Sequence, residues 1–314
     1  TSNQSRLIMY GIAPAYAELH CLSNFSFLRG ASHPGELVAR AHKLGYSALA
    51  LTDVCSVSGV VRAHEAARDC GLKLIVGSEI TLEDGLKLVL LATDRASYGC
   101  LTTLITNGRM RMEKGAYRLT RADLSGMQGC VALLVPGERC VEEHAHFVRE
   151  CFPGRAWIAA ELLYGANDHA RLDDLRAMSK ASGVPLAAAG DVHMHVRSRR
   201  ALQDVLTAIR IGVPVHAAGR ALYPNAERHL RHRLKLAQIY PPELLAETLR
   251  IAGLCDFSLE SLQYEYPDEI VPHGHTPTSY LRELTERGLQ ERFPGGVSGK
   301  VREQVEKELA LIAE

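Results

Sequence analysis

Six side chains able to do chemistry, His20, Asp53, Glu79, Glu161, Asp191 and His193, stand in or at the ends of short apolar runs of this 314-residue sequence. Imidazoles and carboxylates move protons near neutral pH and hold divalent cations. Histidine is abundant, fourteen in all, so position decides what the count cannot. His193 and His195 stand two apart in DVHMHVRSRR, which would place both on one side of a strand. A loop exit accounts for that spacing equally well, and the pair is not read as a second metal site. The eight cysteines, at 21, 55, 70, 100, 130, 140, 151 and 255, form no Cys-x-x-Cys pair. A chain of this length needs no disulfide framework, so reduced, partly buried thiols are expected.

The elements that must position these groups are visible as apolar runs. AYAELHCL (15–22), ALALTD (48–53), KLIVGSEITL (73–82), KLVLLAT (87–93), CVALLVPG (130–137), WIAAELL (157–163) and PLAAAGDVH (185–193) are short and punctuated by Gly, Pro, Asp or Thr. Such runs suit strands buried on both faces. Helical patterns lie between most of them. The segment 34–45 opens on Pro34 and closes on Gly45, 60–71 ends on Gly71, and 168–183 spaces Leu172, Leu175 and Met178 helically before Gly183. Seven strands with intervening helices predict an α/β fold, a βα barrel with one hairpin where only Glu83-Asp84-Gly85 separates two runs. In such folds the usable side chains come from the carboxyl ends of the strands, where the six groups stand.

Composition excludes several classes. Hydrophobic residues make up 46% and charged residues 23%, with a mean hydropathy of −0.06, an ordinary globular profile. Aromatic content of 6% disfavours an all-β sandwich. No apolar run approaches the ~20 residues of a membrane span, and no signal-peptide pattern opens the sequence. Lys+Arg and Asp+Glu are both 36, yet this balance conceals two blocks. Residues 197–235 hold nine Lys/Arg against Asp204 and Glu227, and 241–314 hold seven against fourteen Asp/Glu. The basic block would serve equally as a solvated helical face or as a contact for nucleic-acid phosphates, with only Tyr223 and Tyr240 as platforms for bases. YPDEIVPHGHTP (266–277) reads as a linker. Two amphipathic helices follow it, the second with Val301, Val305, Leu309 and Ile312 in one stripe and a Glu303–Lys307 pair. That pattern reaches the last residue without a stop signal and is expected to continue beyond it.

YAELHCLSNFSFLRGASHPGELVARAHKLGYSALALTD, KLIVGSEITL and AAAGDVHMH together resemble the PHP (polymerase and histidinol phosphatase) domain. More closely, they are similar to the start of bacterial error-prone polymerases of the DNA polymerase III α-subunit family. The resemblance extends through NAERHLRHRLKLAQIYPPELLAETLRIAGLCDFSL (225–259) and the two last helices. It implies a distorted seven-stranded βα barrel over 1–196, a basic-to-acidic helical part completing the domain over 197–265, and a linker with helices leading toward a polymerase palm over 266–314. It also implies, in active members, a cluster of two or three Zn or Mn ions able to activate water against a phosphoester.

Against that pattern the chain has lost ligands. The usual His-x-His reads His20-Cys21-Leu22, the acidic position of the LLDG turn is Arg29, the TDH motif reads Thr52-Asp53-Val54, and Lys87 stands where the fourth strand begins with His. His20, Glu79, Asp191 and His193 are retained, and are the residues expected to hold a metal if any is held. Cys21 and Cys55 stand beside lost positions, but at none of them. Two readings follow. The retained groups hold one residual Zn or Mn, or they are buried polar groups bonded to one another, with Arg29 and Lys87 supplying the charge of the lost metals. The second is preferred. The chain is then expected to be a structural module of a cytoplasmic translesion polymerase, without catalytic residues or exonuclease activity of its own. DNA, deoxynucleotides and Mg would act at a site outside it, alongside replication or translesion protein partners and no membrane. The alternative is a metal-dependent phosphoesterase or 3′–5′ proofreading exonuclease with a partial cluster.

Overall fold

The computed structural model describes residues 13–127, 129–137, 140–262 and 270–313, which divide into two compact units, 1–262 and 263–314. In unit 1 seven strands follow one another in chain order: β1 (Ala17–Glu18), β2 (Ala48–Leu51), β3 (Lys73–Thr81), β4 (Lys87–Leu91), β5 (Val131–Leu134), β6 (Ala156–Glu161) and β7 (Leu186–Ala189). All neighbours are parallel except at β4, which runs against both β3 and β5. The five-residue link 82–86 explains the reversal, because a parallel crossover needs roughly a dozen residues or more. Beyond β1 and β7 the chain closes the ring, with Leu22 N–H donating to Val192 O at 2.8 Å and Val192 N–H to His20 O at 2.9 Å. The fold is a distorted, nearly closed seven-stranded α/β barrel.

Strand residues alternate between two apolar layers. Ala48, Ala50, Val89, Leu91, Val131, Leu133, Ala187 and Ala189 line the barrel, while Leu49, Leu51, Leu88, Leu90 and Leu134 pack in the second layer. Alanines and valines alternate with larger groups such as Ile75 and Trp157 to fill the interior of a barrel of this size. Around the sheet lie α1 (Pro34–Lys43), α2 (Val60–Cys70), α3 (Arg95–Met110), α4 (Glu142–Cys151), α5 (Asp168–Ser182), α6 (Arg200–Ile211), α7 (Arg233–Ile239) and α8 (Pro242–Leu254). The helices α2 and α5 end on left-handed Gly71 (φ 73°) and Gly183 (φ 72°), as the sequence predicts. Ile251 and Ala252 of α8, with Cys255, join the inner layer, and Thr248 Oγ1 accepts the Ala17 N–H at 3.2 Å. Ala17 opens β1, so α8 covers the end where the parallel strands begin and leaves the other end to the polar groups.

Part of the basic block is internal, while Arg197, Arg210 and Arg220 stay exposed. Arg231 is 2% exposed and donates to Leu162 O at 2.8 Å, while Arg233 donates to the carbonyls of Leu44 and Pro14. Tyr240 is equally buried, its hydroxyl donating to Ala189 O at 2.8 Å, so it offers no platform to a base. These cations satisfy backbone carbonyls just outside the regular elements, after β6, after α1 and before β1.

Unit 2 contains α9 (Pro277–Arg292) and α10 (Gly299–Ala313). Leu289 and Leu309 are its buried side chains, and Arg282–Glu306 and Arg302–Glu286, both at 2.8 Å, tie one helix to the other. The expected stripe is half-buried at Val301 and Val305 but leaves Ile312 63% exposed. The Glu303–Lys307 pair is not made; the ion pairs of α10 run across to α9 instead. The expected linker lies partly outside the described residues. Among those residues, no helix is long and apolar enough to cross a membrane.

Candidate metal centre

At the open end of the barrel the inward register continues past the apolar lining. Glu79 follows Ile75 on the inward face of β3, Glu161 follows Trp157 and Ala159 on β6, and Lys87 precedes Val89 and Leu91 on β4. Because β4 is reversed, its first residue arrives where its neighbours finish. His20 lies just beyond β1, and Asp191 just beyond β7 with a left-handed backbone (φ 42°).

His20 is fully buried between two carboxylates, Nε2 lying 2.8 Å from Glu79 Oε2 and Nδ1 2.7 Å from Glu161 Oε1. Both oxygens of Glu79 carry a further cation, Arg29 Nη1 at 2.6 Å on Oε1 and Lys87 Nζ at 2.8 Å on Oε2. Asp191 Oδ1 accepts from His193 Nε2 at 2.9 Å, and its Oδ2 is paired with the Arg228 guanidinium. Three carboxylates thus meet three permanent cations and two imidazoles. Burial would raise the Glu79 and Glu161 carboxyls, but the hydrogen bond from His20 and the neighbouring cations outweigh it and hold both below the ordinary range, Glu79 well below. Burial would likewise lower His20, but hydrogen bonds to Glu161 and Glu79 raise it, favouring the imidazolium with both nitrogens donating. His193 behaves oppositely. Burial, with Arg29 next in weight, holds it well below 6.5, and its Nδ1 has no hydrogen-bond partner.

His20, Glu79 and Asp191 can each bring one ligand atom within 4.8 Å of the others, the spacing a single ion needs. Their electron pairs are already engaged, however. A metal requires a neutral imidazole with an open nitrogen and gains little beside fixed positive charge, whereas here both ring nitrogens face carboxylates, and both oxygens of Glu79 and of Asp191 already carry cationic or imidazole donors. The arrangement in hand does not fit an additional divalent cation.

The other predicted positions separate from this cluster. His193 touches Asp191 but falls outside the three-ligand group. Leu22 is buried, and Val54 pairs its backbone with Glu79. Asp53 turns to the loop that carries Arg29, accepting from Ser23 N–H at 2.8 Å, Ser23 Oγ at 2.7 Å and Ser26 Oγ at 2.6 Å. His195 bonds Ser32 at 2.8 Å. Cys21 and Cys55 sit in the second apolar layer, where burial raises both thiols, Cys55 to about 11, so neither supplies a thiolate. Two participants lay outside the predicted ligand set. Glu161 was visible as a strand-end carboxylate. Arg228 carried no signal beyond its membership of the basic block.

Residues 18–147 match the family model of the PHP domain. Over those residues the chain is a PHP domain. It is 58% identical over 307 residues to an error-prone DNA polymerase of Dechloromonas aromatica and 57% identical over 301 residues to one of Pseudomonas aeruginosa, matches covering 96% of this chain. The chain spans about 30% of the length of these curated relatives. Among solved structures, this PHP domain is similar to a protein from Bifidobacterium adolescentis named as a metal-dependent phosphoesterase, with TM-score 0.46, 15% identity, and coverage of 58% of this chain and 89% of that one. An amidohydrolase from Chromobacterium violaceum gives TM-score 0.44 and 16% identity, covering 57% and 88%.

Proposed function

We propose that this chain is the PHP module of an error-prone DNA polymerase, structural in role, with a degenerate metal site and no exonuclease activity. The observation that carries this reading is the placement of three cations on the would-be ligands, Arg29 and Lys87 on Glu79 and Arg228 on Asp191. Phosphoester hydrolysis by paired metals needs one ion to prepare water and another to stabilise the leaving oxygen. Leu22 and Val54 offer no ligand, and Arg29, Lys87 and Arg228 repel ions. The whole protein then transfers deoxynucleotides to DNA at a Mg-dependent site outside residues 1–314, in the cytoplasm, during translesion synthesis with replication or repair partners. Absent proofreading is coherent with that task, since an exonuclease would remove the mispaired ends that such synthesis must extend.

The second reading, a residual phosphoesterase or exonuclease with one Zn or Mn, is favoured by the 4.8 Å grouping of His20, Glu79 and Asp191. One experiment separates them: metal content by mass spectrometry on chelator-free protein, with degradation of a labelled matched or mismatched primer in added Mn or Zn. The expected result is no stoichiometric metal and no 3′–5′ degradation. Degradation above buffer that disappears in a His20→Ala, Asp191→Ala double variant would sink the structural reading.

A further inference from the structure

The helix α6 is turned inside out. Its inward positions are Gln203 and Thr207, 2% and 1% exposed, together with Ala208. Leu202, Val205 and Ile209 face solvent at 39%, 41% and 58% exposure, and with half-buried Leu206 they form one stripe at i, i+3, i+4, i+7. The polar side is bonded to the domain, Gln203 Nε2 donating to Arg29 O at 2.8 Å, so the orientation is fixed. Beside the stripe, Phe27 is 82% exposed on a loop whose next residue, Leu28, has φ 57°, a conformation that costs energy for a branched side chain. Phe27, Leu28, Leu202 and Leu206 line one groove. Leu206 leans on Ala31, Met194 and Ala226, but a helix that buries an amide and a hydroxyl while exposing three aliphatic side chains presents a hydrophobic face outward.

We infer that this face, the outer stripe of α6 with Phe27, is the seat on which the rest of the polymerase chain packs in cis. The inference rests on the reading of the chain as part of a longer polymerase. The occupant follows from length and chemistry. The relatives are some three times longer than the part matched here, so a large body of chain must pack somewhere. A surface this apolar suits a permanent contact rather than a transient one. The loop also joins the seat to the cluster, since Phe27 points outward two residues before Arg29 reaches Glu79.

The test is hydroxyl-radical footprinting of the natural full-length protein, each residue read against the same chain unfolded in urea, with the mass in solution measured alongside. Expected is several-fold protection of Phe27, Leu202 and Ile209 in a monomer, unchanged on dilution, and loss of protection at Leu202 in an Ile209→Asp, Phe27→Asp variant that melts lower. Native labelling of Phe27 and Ile209 at the unfolded rate overturns the inference. So does protection that vanishes on dilution together with a dimer mass, which would make the occupant a second copy, or protection that arises only on adding another protein. Template-directed nucleotide incorporation by the same preparation checks the polymerase reading separately. Its absence would sink that reading while the footprint still reports whether α6 is covered.

Discussion

Both Glu79 and Glu161 depend on His20, so replacing His20 with Ala leaves one buried and one half-buried carboxylate short of a donor. Breaking a buried pair of this kind costs about 3 kcal/mol or more, and His20→Ala is expected to lower the melting temperature by several degrees, read by calorimetry. The pH dependence follows from the directions of the shifts. Glu79 and Glu161 titrate below 4.5, so their contribution is present above that value and lost as pH falls through their lowered range. His20 titrates above 6.5, so its contribution is complete below 6.5 and lost as pH rises through its raised range. The cluster therefore stabilises most between these two values, and in chelator the difference in melting temperature between wild type and His20→Ala should be widest there. A difference independent of pH would contradict an imidazolium at this site. The same geometry governs any attempt to rebuild a metal centre. Leu22→His, Arg29→Asp, Val54→His and Lys87→His together leave Arg228 on Asp191, so these four changes should bind Zn weakly by calorimetric titration. Adding Arg228→Ala should strengthen binding at least ~10-fold, the scale on which neighbouring groups tune metal affinity. Hydrolysis should lag behind binding, because catalysis tolerates misplaced ligands less well than affinity does.

At the scale of elements, the segment 23–31 between β1 and α1 decides whether Arg29 reaches the cluster. Asp53 gathers Ser23 and Ser26 beneath it, and Gly30 lets the chain fold back so tightly that a Cβ would lie 1.9 Å from Ser23 O. Gly30→Ala must push that backbone apart, at a cost of about 1–3 kcal/mol, and should also withdraw Arg29 from Glu79. The expected outcome is a lower melting temperature together with a smaller penalty for adding Arg29→Ala than in the wild type, measured as a double-mutant cycle. Additive losses would show that segment and cluster are uncoupled. These couplings mark the boundary of what the sequence reveals. Strands buried on both faces become unbroken apolar runs, so all seven are legible, and the short link at 83–85 exposes the reversal of β4. The ends of β1 and β7 are less legible. AYAELHCL and PLAAAGDVH continue as apolar text after the ladder stops at Glu18 and Ala189, because the chain departs there to aim His20 and Asp191 inward. Arg228 and Arg231 are illegible for a different reason. Charge counting treats every arginine as solvated, and nothing local distinguishes one that crosses the chain to meet a carboxylate or a strand carbonyl.

For the whole molecule, the two units differ in what they can sustain alone. Unit 1 closes its sheet through the Leu22–Val192 bonds, stoppers one end with α8 and buries both faces of every strand. Among the described residues, the side chains of that core lie between Tyr16 and Leu259. Among its described residues, unit 2 has two helices of 16 and 15 residues, with Leu289 and Leu309 as the buried side chains and surface ion pairs between the helices. Exposed pairs contribute about 0–1 kcal/mol each, and helices of this length are marginal in water without a packed face. A chain ending at residue 262 should therefore unfold in one cooperative transition with native-like circular dichroism. A peptide of residues 270–313 should show little helix at 25 °C and lose it gradually on heating. A cooperative melt of that peptide would mean that its two helices hold a core larger than two leucines. Collapse of the 262-residue chain would mean that the barrel depends on chain beyond it, and that its closure through β1 and β7 is insufficient by itself.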